Sequence, residues 1–268
     1  VTGIRCFKSG IGQTFTGTLI STCAAAQSVL VGINNTTPPA TAGNNTGYSI
    51  DWGDGSPVQN FTNATFNANM PVTHTFNGLG YKTILITSTH QNGCSYTRQY
   101  QYFNGSNPSV GLGTLGNSVG LCAPATLMFP LNNIAGNPPG TIYTFFENDI
   151  QIAQYTQATL PAVFSHTFDE SSCGETTPDG SYINAFAIKV EASNPCGSSS
   201  AIVQPITLST PPTPDFSIQG PANHCPDAIF TFRNTSTNIN EYNTVTHQCA
   251  DTLNANWTIS PGALGIDY

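Results

Sequence analysis

A cysteine followed by a short apolar run occurs three times in this chain of 268 residues. The three segments begin at Cys23, Cys122 and Cys225, which lie 99 and 103 residues apart, and a second series, Cys94 and Cys196, lies 102 residues apart. A period of this length is that of one β-sandwich domain, and each repeat is expected to fold around a core of its own. The sequence therefore predicts tandem sandwiches rather than one large core.

Two further segments recur in the same register. Residues 72–76 read Val-Thr-His-Thr-Phe and residues 164–168 read Phe-Ser-His-Thr-Phe, while an alternating apolar run at 81–87 recurs at 186–192. Alternation of apolar and polar residues is typical of half-buried strands. These segments are therefore interpreted as equivalent strands of two sandwiches.

Clusters of glycine, proline and asparagine mark the limits of the repeats. They lie at 104–108 and at 211–214, and such residues interrupt the hydrogen bonding between strands. We predict an immunoglobulin-sized sandwich at 1–105, a more divergent one at 106–210, and only the N-terminal part of a third at 211–268.

Charged residues are few, with six Lys or Arg and 14 Asp or Glu, and the net charge is −8. Thr, Ser, Asn, Gly and Pro dominate instead, which favours strands and turns over helices and predicts an all-β fold. The six cations are scattered along the chain, so no basic face is available for nucleic acid or for an anionic membrane. We therefore expect no nucleic-acid partner.

The eight cysteines include no Cys-x-x-Cys pair, so the spacing of zinc ribbons and thioredoxins is missing. Dispersed cysteines are typical of disulfides that form in an oxidising compartment. The chain begins at Val1 and has no apolar run that is long enough to span a bilayer. We expect an exported protein, secreted or at the cell surface, that has lost a signal peptide and does not insert into the membrane.

A Trp-Gly-Asp-Gly turn follows a predicted strand in the first repeat and consists of Trp52, Gly53, Asp54 and Gly55. A large aromatic residue at the end of a strand is expected in the core, Asp caps local amides, and Gly accepts a positive φ. The turn precedes His74-Thr-Phe and a Gly-Tyr-x-Thr strand. This order resembles the signature of polycystic-kidney-disease (PKD) domains, which are immunoglobulin-like β-sandwiches.

The second and third repeats match this signature more weakly, with residues 143–149 and 257–262 in place of the turn. Tandem domains of this kind, with Asn-Gly-Cys or Asn-Pro-Cys late in the domain, resemble large surface proteins of the Bacteroidetes phylum, including gliding-motility adhesins. The resemblance implies a non-catalytic adhesin or stalk. Its partners would be an extracellular glycan or protein surface and further domains of the same protein. The alternative is a glycan- or protein-binding accessory region of a secreted hydrolase.

Three patterns with a chemical meaning are better explained by structure. The glycine-rich segment 111–116 matches a dinucleotide fingerprint, but it leads into another strand rather than into a helix. His74 and His166 occupy the same place in two repeats without coordinating neighbours, which favours a structural histidine. Asp51 and Asp54 are candidate calcium ligands, but their turn supplies too few carboxylates for a strong site. We expect no catalytic residues, no cofactor and no metal.

Three tyrosines, Tyr96, Tyr100 and Tyr102, alternate along one predicted strand. If exposed, they are candidate contacts for a glycan or protein ligand. If they face the core, they contribute to sheet packing, which we favour.

Sandwich topology predicts how the cysteines pair. The loop before the second strand and the loop between the last two strands lie at opposite ends of one domain, too far apart for a disulfide. In an end-to-end array, however, these loops of successive domains meet. The expected pairs are Cys6 with Cys94, Cys23 with Cys196, and Cys173 with Cys249, which leaves Cys122 and Cys225 for missing domains. The rival scheme pairs cysteines within each domain, Cys23 with Cys94 and Cys122 with Cys196.

Overall fold

The computed structural model describes residues 19–25, 28–33, 44–69, 71–220, 231–238 and 240–251. Within these residues the chain consists of 20 strands and one helix of six residues. The strands form two sandwiches and, after them, a smaller third segment. The predicted all-β fold is thus confirmed.

The first sandwich contains seven strands and helix α1. Their bounds are β1 (Leu19–Thr22), β2 (Ser28–Ile33), β3 (Asn45–Asp51), β4 (Gln59–Thr62), α1 (Asn63–Ala68), β5 (Val72–Asn77), β6 (Gly80–His90) and β7 (Ser95–Asn104). One sheet has the order β1-β7-β6-β3-β4, and the other pairs β2 with β5. All neighbours are antiparallel except β1, which runs parallel to β7.

The second sandwich contains nine strands. Their bounds are β8 (Gly111–Leu112), β9 (Leu121–Cys122), β10 (Ala125–Asn132), β11 (Ile142–Glu147), β12 (Ile150–Thr156), β13 (Val163–Phe168), β14 (Phe186–Asn194), β15 (Gly197–Ile206) and β16 (Leu208–Ser209). One sheet has the order β13-β10-β8 and the other β12-β11-β14-β15, while β9 runs parallel to β16.

The two sandwiches have equivalent topologies. The pair β2 and β5 corresponds to β10 and β13, and the sheet β4-β3-β6-β7 corresponds to β12-β11-β14-β15. In both, the chain passes repeatedly between two mainly antiparallel sheets that face each other, which is the arrangement of an immunoglobulin-like sandwich. The fold class predicted from the sequence is therefore observed.

Each sandwich has a hydrophobic core of its own, formed by residues from the facing sheets. In the first, Phe76 of β5 stacks on Tyr102 of β7 with 5.0 Å between ring centroids. In the second, Phe164 of β13 stacks on Phe145 of β11 at 4.0 Å. Burial of side chains of this size stabilises a fold by about 1.5–3 kcal/mol each. The residues of the two cores do not define where each domain begins and ends along the chain, so the boundaries at 105 and 210 stay predictions.

Helix α1, in the connection from β4 to β5, is a feature that the sequence analysis did not predict. Thr62 and Thr65 form a reciprocal capping box, in which Thr65 N donates to Thr62 Oγ1 and Thr62 N donates to Thr65 Oγ1. Phe66 of the helix is fully buried and stacks on Tyr48 at 4.1 Å. The helix thus covers one edge of the first core.

The third segment contains two described hairpins. They pair β17 (Phe216–Gln219) with β18 (Thr231–Asn234), and β19 (Asn240–Asn243) with β20 (Gln248–Asp251). Tyr242 of β19 is buried, and its backbone N donates to Ser209 Oγ of the second sandwich at 2.9 Å. The second hairpin is therefore docked on the end of the preceding sandwich.

Candidate functional site: the turn of the first repeat and the junctions

The Trp-Gly-Asp-Gly turn connects β3 to β4 at one end of the first sandwich. Trp52 is completely buried, and its ring lies 4.6 Å from the imidazole of His74, nearly parallel to it. Gly53 and Gly55 both have positive φ, of 69° and 84°. A Cβ at Gly53 would lie 2.1 Å from the carbonyl oxygen of Thr83 on β6, so the turn packs directly against that strand.

Asp54 connects this turn to the facing sheet. Its Oδ1 accepts hydrogen bonds from the N and the Oγ of Ser56, and its Oδ2 lies 2.8 Å from Nε2 of His74. Burial raises the pKa of Asp54, but the hydrogen bonds from His74 and Ser56 outweigh it and lower the pKa from 3.8 to about 2. The carboxylate of Asp54 therefore stabilises the turn and its contact with the facing sheet. His74 is the structural histidine expected from the sequence.

The second repeat builds an equivalent pair from a different acid. His166 Nε2 lies 2.6 Å from Oε2 of Glu147, at the end of β11. Tyr48 and Tyr143 occupy equivalent positions on β3 and β11, so Glu147 stands in the register of Trp52 rather than of Asp54. Sequence reasoning missed Glu147; the signal was the repeated His-Thr-Phe strand, which implies a partner near the facing turn.

The oxygens of the candidate calcium ligands are used within the turn. Asp51 Oδ1 accepts the N–H of Gly53 at 2.9 Å, and both oxygens of Asp54 have protein partners. Among the described residues, no cluster of three or more His, Cys, Asp or Glu has the geometry to hold a metal ion.

The alternating tyrosines of β7 face the core. Tyr100 is 7% exposed, Tyr102 is 1% exposed, and Tyr96 is partly buried. Inward positions on β7 are those that pack against β5, as the Phe76 contact shows. The hypothesis that these three tyrosines form an exposed ligand surface is therefore wrong, and the packing interpretation is right.

The glycine-rich segment 111–116 also has a structural role. Gly111 and Leu112 form β8, which pairs with β10, and Leu115 forms an isolated bridge with Met128. A Cβ at Gly111 would lie 1.8 Å from Oδ1 of Asn132. The segment is an edge strand, and no helix follows it to hold a pyrophosphate.

A disulfide joins the two sandwiches. Cys23, directly after β1, is bonded to Cys196, in the hairpin between β14 and β15, with 5.5 Å between Cα atoms. This is the junction pair expected from the sequence, and it excludes the rival pairing of Cys23 with Cys94. Residues that are 173 positions apart in sequence are thus covalently linked across two separate cores.

Close contacts surround this first junction. Within the second repeat, Asn194 Nδ2 of the hairpin that carries Cys196 donates to Ser106 O, beside the predicted boundary, at 3.0 Å. The ring of Tyr81 lies against Gly140, where a Cβ would come within 2.6 Å of it, and Pro138 approaches Gly105 in the same way. The two sandwiches therefore meet through backbone and ring contacts in addition to the disulfide.

A second disulfide, between Cys173 and Cys249, links the second sandwich to the third segment, with 5.8 Å between Cα atoms. It is also a pair expected from the sequence. Asn184 Nδ2 donates to His247 O at 3.5 Å beside it. Each of these two disulfides thus joins segments that the sequence analysis assigned to successive repeats.

The other cysteines divide into three cases. Cys94 is disulfide-bonded, but the partner expected for it, Cys6, lies outside the described residues. Cys225 lies outside them too. Cys122 is exposed and has a free thiol, so the rival pair of Cys122 with Cys196 is excluded as well.

Comparisons with known proteins do not assign a family. No family model and no curated protein matches the sequence. Solved structures that align with it include fibronectin(III)-like modules of Clostridium thermocellum CbhA, at 12% identity over 74% of this chain and 94% of that chain, with a TM-score of 0.32. Murine CEACAM1b aligns at 12% identity over 72% and 96%, with a TM-score of 0.35, and Dscam at 9% over 74% and 45%, with a TM-score of 0.34.

With TM-scores below 0.5, these likenesses carry no inference about function, and the fold class rests on the strand topology described above. The resemblance to PKD domains and to Bacteroidetes adhesins stays a prediction. In the part of the chain that the structure describes, no helix combines the length and apolar character needed to cross a bilayer.

Proposed function

We propose that this chain is a non-catalytic segment of an extracellular adhesin or stalk, with domains at 1–105, 106–210 and 211–268. The observation that carries the proposal is the Cys23–Cys196 disulfide, because it fastens two independently packed sandwiches to each other. A linker alone would leave such domains free to reorient. A disulfide beside the junction fixes the angle between the long axes of the two sandwiches. The pair then behaves as a stiff rod.

The cysteine chemistry supports a location outside the cytoplasm. Two disulfides that cross repeat boundaries require an oxidising compartment to form and persist. The sparse charge and the predominance of Ser, Thr and Asn suit a secreted or cell-surface protein. A PKD-type, Bacteroidetes-like surface protein is the member of this class that the sequence favours.

A non-catalytic role is supported by the contacts of the histidines and the aspartate that were considered as catalytic or metal-binding residues, because these contacts are structural. His74 and His166 each hold a carboxylate across their sandwich, and Asp54 is committed to its turn. General acid–base catalysis requires groups that are free to reach a substrate. The partners we propose are an extracellular glycan or protein surface and further domains of the same protein.

The proposal is tested by small-angle X-ray scattering combined with a binding assay. The wild-type chain should scatter as a rod of one defined length, whereas the double variant Cys23→Ser, Cys196→Ser should give a broader distance distribution. The control is Cys173→Ser, Cys249→Ser, which should leave the first junction unchanged. Equal flexibility of the wild type and the first variant would contradict the rod.

In the binding assay, the chain is immobilised on beads and presented to glycan arrays and extracellular protein coatings. Retention on either class of surface supports an adhesin. Selective binding to insoluble chitin or cellulose would instead favour the alternative, an accessory region of a secreted hydrolase.

A further inference from the structure

The backbone around the free Cys122 repeats the backbone around Cys23. Ala25 N donates to Gly105 O at 2.7 Å, and Gly105 N donates to Thr22 O at 2.9 Å, so Cys23 is held beside the end of the last strand of its sandwich. In the second sandwich, Cys122 pairs with Ser209, and Ala123 N donates to Ser209 O at 2.9 Å. Cys122 therefore occupies the place of Cys23, and Ser209 the place of Gly105.

The following repeat contacts each of these equivalent positions. At the first junction, Pro138, which lies between β10 and β11, approaches Gly105. At the second junction, Tyr242 of the third segment donates its N–H to Ser209 Oγ at 2.9 Å. Gly105 and Ser209 are thus both contacted by the repeat that follows them.

The first junction includes a hairpin that carries a cysteine, and this hairpin has no counterpart among the described residues at the second junction. At the first junction, the hairpin between β14 and β15 places Cys196 against Cys23, to which it is bonded. At the second junction, the exposed thiol of Cys122 lines an open cavity of about 340 Å³. The cavity is bounded by the second sandwich and the third segment, with walls that include Thr210, Pro211, Asn240 and Glu241.

A hairpin of this kind can be recognised by the asparagine that caps its cysteine. The hairpins that carry Cys94 and Cys196 use the same cap, in which Asn92 Oδ1 accepts Cys94 N at 3.1 Å and Asn194 Oδ1 accepts Cys196 N at 2.8 Å. These two cysteines lie 102 residues apart. No third cysteine at this spacing is among the 268 residues.

We propose that Cys122 is the attachment point for an Asn-x-Cys hairpin of a complete third domain, to which it becomes disulfide-bonded as Cys23 is to Cys196. The inference deepens the proposed function and rests on it, since it concerns the next junction of the same array. The repeat spacing places the partner cysteine about 102 residues after Cys196.

The bond forms by oxidation of two thiols. One S–S bond is made as two S–H bonds break, and the two electrons and two protons reduce an external disulfide, such as oxidised glutathione or a protein disulfide, to two thiols. The exposed thiol of Cys122 is accessible to this exchange.

The test is peptide mapping of the natural protein, purified without reductant after its free thiols are blocked with iodoacetamide. We expect the Cys122 peptide to be linked to a peptide with an Asn-x-Cys sequence about 102 residues after Cys196. The Cys23–Cys196 link in the same digest is the internal control for oxidation. The inference is overturned if Cys122 is alkylated, or linked to another cysteine, while Cys23–Cys196 is intact.

A variant separates this inference from the proposed function. In the natural protein, Cys122→Ser should leave the Cys23–Cys196 link in place and make the partner hairpin cysteine reactive toward iodoacetamide. If that cysteine stays unreactive, Cys122 is not its partner. Loss of binding to every glycan and protein surface would contradict the adhesin but would not alter this map.

Discussion

Nε2 of His74 lies 2.8 Å from Oδ2 of Asp54 and connects β5 of one sheet to the turn that follows β3 of the other. The imidazole is also stacked on Trp52, and Asp54 caps Ser56. One ring thus contacts both the apolar and the ionic part of the turn. Because His166 and Glu147 repeat this bridge in the second sandwich, the contact belongs to the fold of the repeat.

The stability of the first sandwich should decrease at acid pH through Asp54. Because its pKa of about 2 lies below the unfolded value, the carboxylate stabilises the fold above about pH 4 and loses this effect as the pH falls toward 2. We expect a loss of about 1 kcal/mol, allowing for solvent screening. Urea unfolding, followed by Trp52 fluorescence in a Trp257→Phe background, measures it. Asp54→Asn should flatten this pH dependence, whereas Asp179→Asn, in the second sandwich, should not.

Truncation of Trp52 should unfold the first sandwich selectively. The side chain is completely buried and contacts Phe76 as well as His74, so Trp52→Ala should lower the free energy of unfolding by about 3–5 kcal/mol. Val58→Ala, at a position that is 48% exposed, is the control and should change it by less than about 0.5 kcal/mol. Near-ultraviolet circular dichroism during thermal unfolding measures both. Similar losses in the two variants would refute the assigned core role of Trp52.

The two glycines of the turn should differ sharply in their tolerance of a methyl group. Gly53→Ala introduces a Cβ at 2.1 Å from Thr83 O and should cost about 3 kcal/mol or more. Gly55→Ala meets no atom within 4 Å, so only the strain of its positive φ remains, about 1 kcal/mol. Urea denaturation of the two variants gives the comparison directly. Equal costs would mean that φ alone, and not contact with β6, requires Gly53.

Removal of the Tyr143 hydroxyl should weaken the second sandwich without affecting the first. This hydroxyl donates to Gln157 Oε1 and accepts from Asn137 Nδ2, and burial raises its pKa. Tyr143→Phe leaves these partners incompletely satisfied and should cost about 1–2 kcal/mol. Hydrogen exchange of the β11 amides measures it. Tyr182→Phe, at an exposed ring, should leave this exchange unchanged.

The repeats made the two sandwiches predictable and, in the His-Thr-Phe strand, the inward residues as well. Val72, His74 and Phe76 share one face because side chains alternate along a strand, and the structure places all three toward the core. The pairing of Cys23 with Cys196 followed from the direction of successive strands, which places the two loops at facing ends of neighbouring domains.

Other features depend on contacts between segments that no local pattern reveals. Glu147 occupies the strand position of Trp52 rather than that of Asp54, yet it contacts His166. Its side chain is longer than that of an aspartate and reaches the imidazole from the end of the strand. Helix α1 was missed because its Asn-rich sequence has low helix propensity, and it is held by the Thr62–Thr65 box and by burial of Phe66. The orientation of Tyr100 depends on the strand register, which places it opposite Ile84 on the inner face.

The parallel pairing of β1 with β7, and of β9 with β16, determines how such a chain responds to tension. In each sandwich the last strand, β7 or β16, lies beside a strand from the N-terminal part of that sandwich, β1 or β9, and runs in the same direction. The N-terminal end of the earlier strand and the C-terminal end of the last strand therefore lie at opposite ends of the pair. A pull on the two ends acts along these strands in opposite senses, and it loads their hydrogen bonds in shear, all at once. An antiparallel terminal pair would be peeled apart one bond at a time. The strand that closes each sandwich is thus also the one that resists its extension.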